Sequence, residues 1–246
     1  SFFMRQRELY SKLVAVPPVF VRLDGRAFHR LAETWVLQRP FDERFGNAMA
    51  RVGELLVSQS GLSPELAYIF SDEINLYFSH LPYSGRVEKI DSVTASFAAS
   101  ALTIEMGSRQ PVSFDARIVH VTPAIAQEYL VQRQAEAWRN HMNAYCQHIL
   151  VEEGMTRKEA AAFLKGKSAP EMHELAFSRG LNLAATPAWQ RRGILVMKRA
   201  RRVEGFNPRE GRVVESYRSE VVTERDLPVF SSAEGRALLA SILPGP

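Results

Sequence analysis

Cysteine is nearly missing from this chain. Cys146 is the single one in 246 residues, which excludes an internal disulfide and a cysteine-rich zinc site. Long apolar runs are missing too. No stretch of about 18 apolar residues occurs, so a spanning helix is excluded. The opening residues, Ser1-Phe2-Phe3-Met4-Arg5-Gln6-Arg7, hold no apolar core of signal-peptide length. A cytoplasmic protein that meets no membrane is the expectation. Internal repeats and low-complexity tracts are absent. Nor does one sign of charge dominate. A net charge of +4 and a pI near 9.3 are too mildly basic to demand a nucleic-acid partner.

The charge that is there is unevenly placed. Arg191, Arg192, Lys198, Arg199, Arg201 and Arg202 crowd into twelve residues. The notable acids lie in the N-terminal half. An acidic centre facing a basic C-terminal surface is the resulting picture.

Val19 to Leu23 is a short β-branched apolar run closed by Asp24-Gly25, and reads as a buried strand. Asp42 can cap a helix in which Phe45, Met49, Val52, Leu55 and Leu56 recur at helical spacing. Ala67 to Phe70 is a second strand. Ile74, Leu76 and Phe78 alternate with polar positions in a third. Ser71-Asp72-Glu73 alone separates these two, which predicts a tight hairpin with two carboxylates at its tip. A helix from about Lys89 to Ala101 and a strand from Phe114 to Val121 follow. This order in the first 121 residues is the ferredoxin-like, split βαβ pattern of an α+β fold.

Thr122-Pro123 opens a long helix running to about Glu153. Thr156 to Glu159 forms a capping box, and Ser168 to Glu171 offers another start. Ile194 to Lys198 and Val213 to Val222 predict a β-ribbon with its turn within Gly205 to Gly211. Ser232 to Leu243 predicts a last helix. No flexible tether intervenes. Residues 1–121 and 122–246 are therefore expected to pack as one compact unit, a palm with a helical and ribbon extension.

In a split βαβ sheet the first strand and the central hairpin lie side by side. Asp24 and Asp72 can then share a pair of hard divalent ions about 4 Å apart, the arrangement that phosphoryl transfer uses. Glu73 adds negative charge or orients water beside them. Gly25 lets backbone approach metal or phosphate closely. Arg26, Phe28 and His29 can meet triphosphate charge and stack a base. The plainer alternative stays open: Asp-Gly is a common strand-end turn, and an Asp-Glu pair at a hairpin tip is often only solvated. His29 alone, and His141, His148 and His173, read as structural, and Cys146 as a small buried residue. Trp138 reads as a core or interface anchor. Trp35 and Trp189 fall in loops.

The stretch Val19-Phe20-Val21-Arg22-Leu23-Asp24-Gly25-Arg26-Ala27-Phe28-His29-Arg30 resembles the opening motif of the tRNA-His guanylyltransferase family, and Ser71-Asp72-Glu73 is similar to its second acidic motif. The likeness continues through Arg39-Pro40-Phe41-Asp42, Arg86-Val87-Glu88-Lys89, Phe114-Asp115-Ala116-Arg117, Trp138 to Asn143, Lys165-Gly166-Lys167 and Gly180-Leu181-Asn182. It covers roughly residues 5 to 200 in order.

The resemblance implies a polymerase-like palm with two Mg2+ ions that adds nucleotides to a tRNA 5′ end. GTP and other nucleoside triphosphates would be substrates, and ATP would serve 5′ activation. By residue, it implies Asp24 and Asp72 as metal ligands with the Gly25 carbonyl. It implies Asp24, Gly25, Arg26, Ala27, Phe28 and His29, with Ser71, around the nucleotide. Arg86 and Lys89 would contact phosphates, and Asn140 and Asn182 a second nucleotide or the 5′ end. A homotetramer, a dimer of dimers, is implied as well. Given that likeness, the Arg191 to Arg202 cluster is expected to grip tRNA phosphates.

Three departures stand out. Trp138-Arg139-Asn140 occupies the place of a His-Ile-Asn-Asn motif, Met172 that of a lysine, and Phe41 that of an asparagine. They resemble the bacterial and archaeal branch, whose members repair 5′-truncated tRNA by templated addition. Addition of a single 5′ guanosine to tRNA-His is the alternative. Two further readings are a silent tRNA-binding protein and a nucleotide cyclase, which shares the palm but needs no basic half.

Overall fold

The structure is a computed structural model. It describes residues 7–207 and 212–243, with backbone alone over 204–207 and 212–216. Strand β1 spans Val19–Gly25, β2 Leu66–Phe70, β3 Glu73–Phe78, β4 Phe114–His120, β5 Ile194–Asn207 and β6 Arg212–Glu224. They form one antiparallel sheet in the order β4-β1-β3-β2-β5-β6. Its first four strands have the ferredoxin-like arrangement expected of the α+β fold. The C-terminal ribbon continues that sheet, because β5 pairs with β2 from Leu66↔Met197 to Ile69↔Ile194. The centre of the ribbon turn, residues 208–211, lies outside the described residues.

Helical layers cover both faces of the sheet. Helices α1 (Phe28–Thr34), α2 (Glu43–Ser58) and α3 (Val87–Glu105) lie on one side. There Val19, Val21, Leu23, Ile74, Leu76 and Phe78 close a core with Met49, Val52, Leu56 and Leu102. The alternate residues point the other way. Phe20, Tyr68, Tyr77 and Leu195 pack against Ala126 and Leu130 of α4 (Pro123–Glu152) and against Phe230 and Leu239. Two buried faces explain why the strands read as unbroken apolar runs.

Helix starts follow local chemistry. The Asp42 carboxylate accepts from the Phe45 and Gln38 amides at 3.0 and 2.8 Å. Thr122 caps α4, with Pro123 in its first turn. Thr156 and Glu159 cap each other at α5 (Arg157–Leu164). The Glu171 carboxylate accepts from the Ser168 amide at the start of α6 (Ala169–Phe177). A third core joins the far end of α4 to α5 and α6 through Met142, Cys146, Leu150, Leu164 and Met172. Trp189 lies in a short helix, α7 (Ala188–Arg192), where a loop was expected. The last helix, α8, spans Ala233–Ile242.

The segment before α8 is pinned to α4. Phe230 is fully buried, and its amide donates to Gln134 Oε1 at 2.6 Å. Phe230→Ala is expected to cost about 3–5 kcal/mol. Urea unfolding of the two proteins checks this; a change below about 1 kcal/mol would show that the C-terminal segment is not part of the core.

Candidate active site

Strand register decides which carboxylates meet. Asp24 pairs with Glu73 on one side and Asp115 on the other. All three therefore share the sheet face that α4 covers, in a row across β4, β1 and β3. Two residues along, the same face carries Arg117, Arg22 and Asn75. Arg22 Nε donates to Asp24 Oδ2 at 3.1 Å. Arg117 reaches the same oxygen at 3.1 Å and Asp115 at 2.6 Å.

Glu73 is not at an exposed tip. It is the first residue of β3 and is 7% exposed. Arg133 of α4 grips it with two bonds, Nε to Oε1 at 2.8 Å and a terminal nitrogen to Oε2 at 2.6 Å. Asn75 Nδ2 donates to Oε1 at 2.8 Å, and the Tyr129 hydroxyl donates to Asn75 Oδ1 at 2.7 Å. Glu73 thus ties the palm to the long helix. A hydrogen-bonded buried pair of this kind holds geometry more surely than it adds stability.

Asp72 sits in the turn, and no guanidinium among the described residues pairs with it. Burial raises its carboxyl above the usual range, reinforced by the charges of Asp24 and Glu73, while its own amide and the Ser71 hydroxyl pull the other way. Gly25 is what lets it come so close. The Gly25 amide donates to the Asp72 carbonyl at 3.1 Å. A Cβ on Gly25 would lie 2.9 Å from Asp72 Oδ2 and 2.4 Å from the Phe28 ring. A carboxyl raised by burial and neighbouring negative charge is one that a cation would relieve. Asp24, Asp72 and the Gly25 carbonyl are hard oxygen donors, which suits Mg2+. Among the described residues no three acidic, imidazole or thiol side chains converge. Water and substrate phosphate would have to complete such a shell.

Beside these groups opens a cavity of about 350 Å³. Phe28, His29, Ser71, Asp72 and Asn140 line it. Phe41 and Trp189 add aromatic walls, their rings 6.0 Å apart and nearly perpendicular. Phe28 is also wedged among Trp35, Phe45 and Phe114. Trp35 is part of that packing, where a surface loop was expected, and its indole donates to Ser108 Oγ at 3.2 Å. Arg26 and Ala27 are exposed and precede α1, Ala27 at φ 55°.

The other expected positions lie apart from the cavity. Arg86 precedes α3 and bonds Glu88 at 2.5 Å, while the Lys89 amine lies 5.6 Å from the Tyr83 ring. Asn182 caps a 3-10 turn through the Ala184 amide. In the basic cluster, Arg191 donates to the Thr186 carbonyl and Arg192 to the Leu227 carbonyl. Arg199 and Arg201 pair with Glu224 and Glu220 at 3.4 and 3.6 Å. Lys198 and Arg202 lie further along β5.

Sequence reasoning missed Arg133, Arg22 and Arg117. The last two were within reach: each lies two residues from an acid on the same strand, hence on the same face.

Sheet order, register and the acidic pair define a class, the polymerase-type palm. A family model described as tRNAHis guanylyltransferase matches residues 2–122, just under half of the chain. tRNA(His) guanylyltransferase 1 of Arabidopsis thaliana is 27% identical over 212 residues, covering 80% of this chain and 36% of that protein. The Schizosaccharomyces pombe tRNA(His) guanylyltransferase is 26% identical over 202 residues, covering 78% and 77%. The chain therefore spans little more than a third of the plant relative. Among solved structures, a bacterial tRNA(His) guanylyltransferase-like protein in complex with ATP superposes with a TM-score of 0.77, at 21% identity and over 98% and 97% of the two chains. The Saccharomyces cerevisiae tRNA(His) guanylyltransferase gives 0.70, at 23% identity over 79% and 91%. At these identities the structures speak for the fold.

Two expectations follow. Arg133→Met strands the Glu73 carboxylate and should cost about 3 kcal/mol. Adding Glu73→Gln should recover more than half of it, as a double-mutant cycle in urea reports. Simple additivity would mean that the pair is not coupled.

The second concerns His141, which is fully buried. The Thr186 hydroxyl donates to the Leu183 carbonyl, so it accepts from His141 Nε2 at 2.8 Å. Nδ1 has no partner, and the ring is neutral. Burial first, then Arg191 and His173, push its pKa down to about 4. The unfolded ring binds a proton below about 6.5. Between those values the unfolded state carries more protons, so stability falls as pH drops through that window. His141→Gln, less stable at neutral pH, should show a flatter decline in urea midpoint there. Parallel curves would remove His141 as the source.

Proposed function

We propose that this chain is a metal-dependent nucleotidyltransferase that extends the 5′ end of truncated tRNA in the 3′-to-5′ direction, guided by a template. One observation carries the reading: Asp24, Gly25 and Asp72 meet beside a cavity whose walls include Phe28, His29, Ser71 and Asn140. The match of residues 2–122 to the tRNAHis guanylyltransferase family model supports the reaction class.

Asp24 and Asp72, with the Gly25 carbonyl, would hold two Mg2+ ions. Bound there, the ions would activate the attacking hydroxyl and neutralise charge on the phosphoryl group. The chain's own residues do the positioning. Arg22 and Arg117 hold the Asp24 carboxylate in place, and Arg133 keeps Glu73 out of the ligand set. The Asp24 to His29 segment, with Ser71, wraps the triphosphate, while Arg86 and Lys89, set apart from the cavity, would meet phosphates outside it. Asn140 reaches into the cavity, where it can meet a second nucleotide or the RNA 5′ end. Asn182 lines a separate cavity beside Pro170 and His173, so it would meet RNA only there.

GTP and the other nucleoside triphosphates are the substrates in this reading, with ATP available for 5′ activation. Arg191 and Arg192 at the end of α7, with Lys198, Arg199, Arg201 and Arg202 on β5, form the RNA-binding surface. Residues 1–121 serve as the catalytic palm and 122–246 as its packed extension. Assembly as a homotetramer and work in the cytoplasm complete the proposal. No helix among the described residues is long and apolar enough to cross a membrane. Phe41, whose ring stands 5.7 Å from both His141 and Tyr145, replaces the asparagine of the tRNA-His enzymes, and that departure supports templated repair.

The test offers 5′-truncated tRNA and full-length tRNA-His side by side with each labelled nucleotide. Complement-dependent addition to the truncated RNA is expected. Asp24→Ala and Asp72→Ala should each lower incorporation by about a thousandfold or more. A lone guanosine added to tRNA-His regardless of template would overturn repair. RNA binding without turnover of any nucleotide would overturn the enzyme.

A further inference from the structure

Along α4 the catalytic cavity leads into a second opening and then a third. The second shares Arg39, Pro40 and Ala144 with the catalytic cavity. It shares Gln147 with the third. The third has a volume of about 480 Å³ and lies between α4 and the α5–α6 connection. Arg139, Asn143 and Gln147 form one stripe on α4, spaced four residues apart. Lys165, Gly166 and Lys167 face them, with Gly166 at φ 81° making the turn that carries both lysines to the opening.

The charge balance here is unusual for this molecule. Three cations line the third cavity and no carboxylate does. Lys167 is 3.9 Å from Glu171, but that carboxylate already accepts from Ser168 at 2.7 and 2.6 Å. Arg139 and Lys165 are exposed, and the side chain of neither forms a hydrogen bond or ion pair with any described residue. In the basic cluster of α7 and β5, by contrast, Arg191 and Arg192 are bonded to carbonyls and Arg199 and Arg201 are paired with acids. The lining contains no aromatic ring to stack a base. Phosphate, not nucleobase, is what such a pocket recognises. Along the way, Arg157 is neutralised by Glu33 at 2.6 Å, and Glu152 adds one negative charge to the middle opening. The open cations are therefore Arg39 at one end and Arg139 and Lys165 at the other, where Lys167 is shared with Glu171 and the Phe163 ring.

We propose that the Arg139–Lys165–Lys167 pocket binds phosphodiester groups of the RNA strand whose 5′ end enters the catalytic cavity, so that the strand runs along α4. This rests on the proposed function only in taking RNA as the polyanion.

The probe is 3′-fluorescein-labelled tRNA lacking its first nucleotide, followed by anisotropy across a KCl series. Arg139→Gln/Lys165→Gln, both at exposed positions, should weaken binding about tenfold near 0.1 M salt. The slope of log K against log [KCl] should shrink by about 1.4–1.8, two phosphate contacts' worth, and Lys165→Gln alone by about half that. GTP and inorganic tripolyphosphate should bind wild type and variants alike. An unchanged RNA slope overturns the pocket while leaving the enzyme reading intact. A loss of tripolyphosphate or GTP affinity equal to that of RNA also overturns it, because the pocket would then serve a free nucleotide. Wild-type protein that binds RNA with the expected slope difference but adds no nucleotide sinks the enzyme and keeps the pocket.

Discussion

Everything at the acidic centre depends on how β1 pairs with β3. That register sets Asp24 opposite Glu73 while Val19, Val21 and Leu23 face the first core. Side chains alternate between faces, so a slip of one residue would drive Asp24 into the apolar layer and turn those three outward. The same periodicity that closes the core therefore aims the carboxylates. β4 repeats the constraint on the other side, bringing Asp115 into the row. The hairpin turn adds Asp72 from outside the row, seated against the bare α-carbon of Gly25.

Three carboxylates abreast on adjacent strands repel one another, and cross-strand like charges are destabilising. The fold answers with Arg22, Arg117 and Arg133, but not equally. The Arg133–Glu73 pair is nearly enclosed, at 20% and 10% side-chain exposure, and both oxygens are taken. Arg22 and Arg117 share one oxygen of Asp24, with Arg117 half exposed. Exposed pairs of that kind contribute about 0–1 kcal/mol, far too little to keep a divalent cation from Asp24. Glu73 is thus committed to holding α4, whereas Asp24 and Asp72 stay available. What sets Glu73 apart from Asp24 and Asp72 is the guanidinium that occupies both its oxygens, not residue type.

Much of the palm was legible because its strands are short, apolar and punctuated. The β2–β3 hairpin and the Asp24–Asp72 pairing followed from spacing and topology. Arg133 did not, since its partner lies 60 positions away and is chosen by how α4 docks on the sheet. Helix α1 carried no start signal: Ala27 precedes it with no side-chain cap, and Leu31 is its one buried residue. The ribbon outran its expected end at Lys198 because β5 continues to Asn207 through polar positions. Its pairing there is backbone to backbone with β6, and hydropathy leaves no trace of such bonds.

Sequence also misjudged where open positive charge lies. Six cations within twelve residues look like a polyanion surface, yet four are spent on carbonyls and on acids of the facing strand. An antiparallel ribbon invites this, because Glu220 and Glu224 run back alongside the arginines. Arg139 and Lys165, 26 positions apart, stand out in the sequence only within two family-like motifs, not as a charged pair. The helical lobe sets them around one cavity with no acid on its walls. A paired cation must surrender its partner before it neutralises a phosphate, whereas an open one releases counterions from the polyanion directly. The electrostatic footprint of this protein is therefore governed less by where cations cluster along the chain than by where the fold leaves them unopposed.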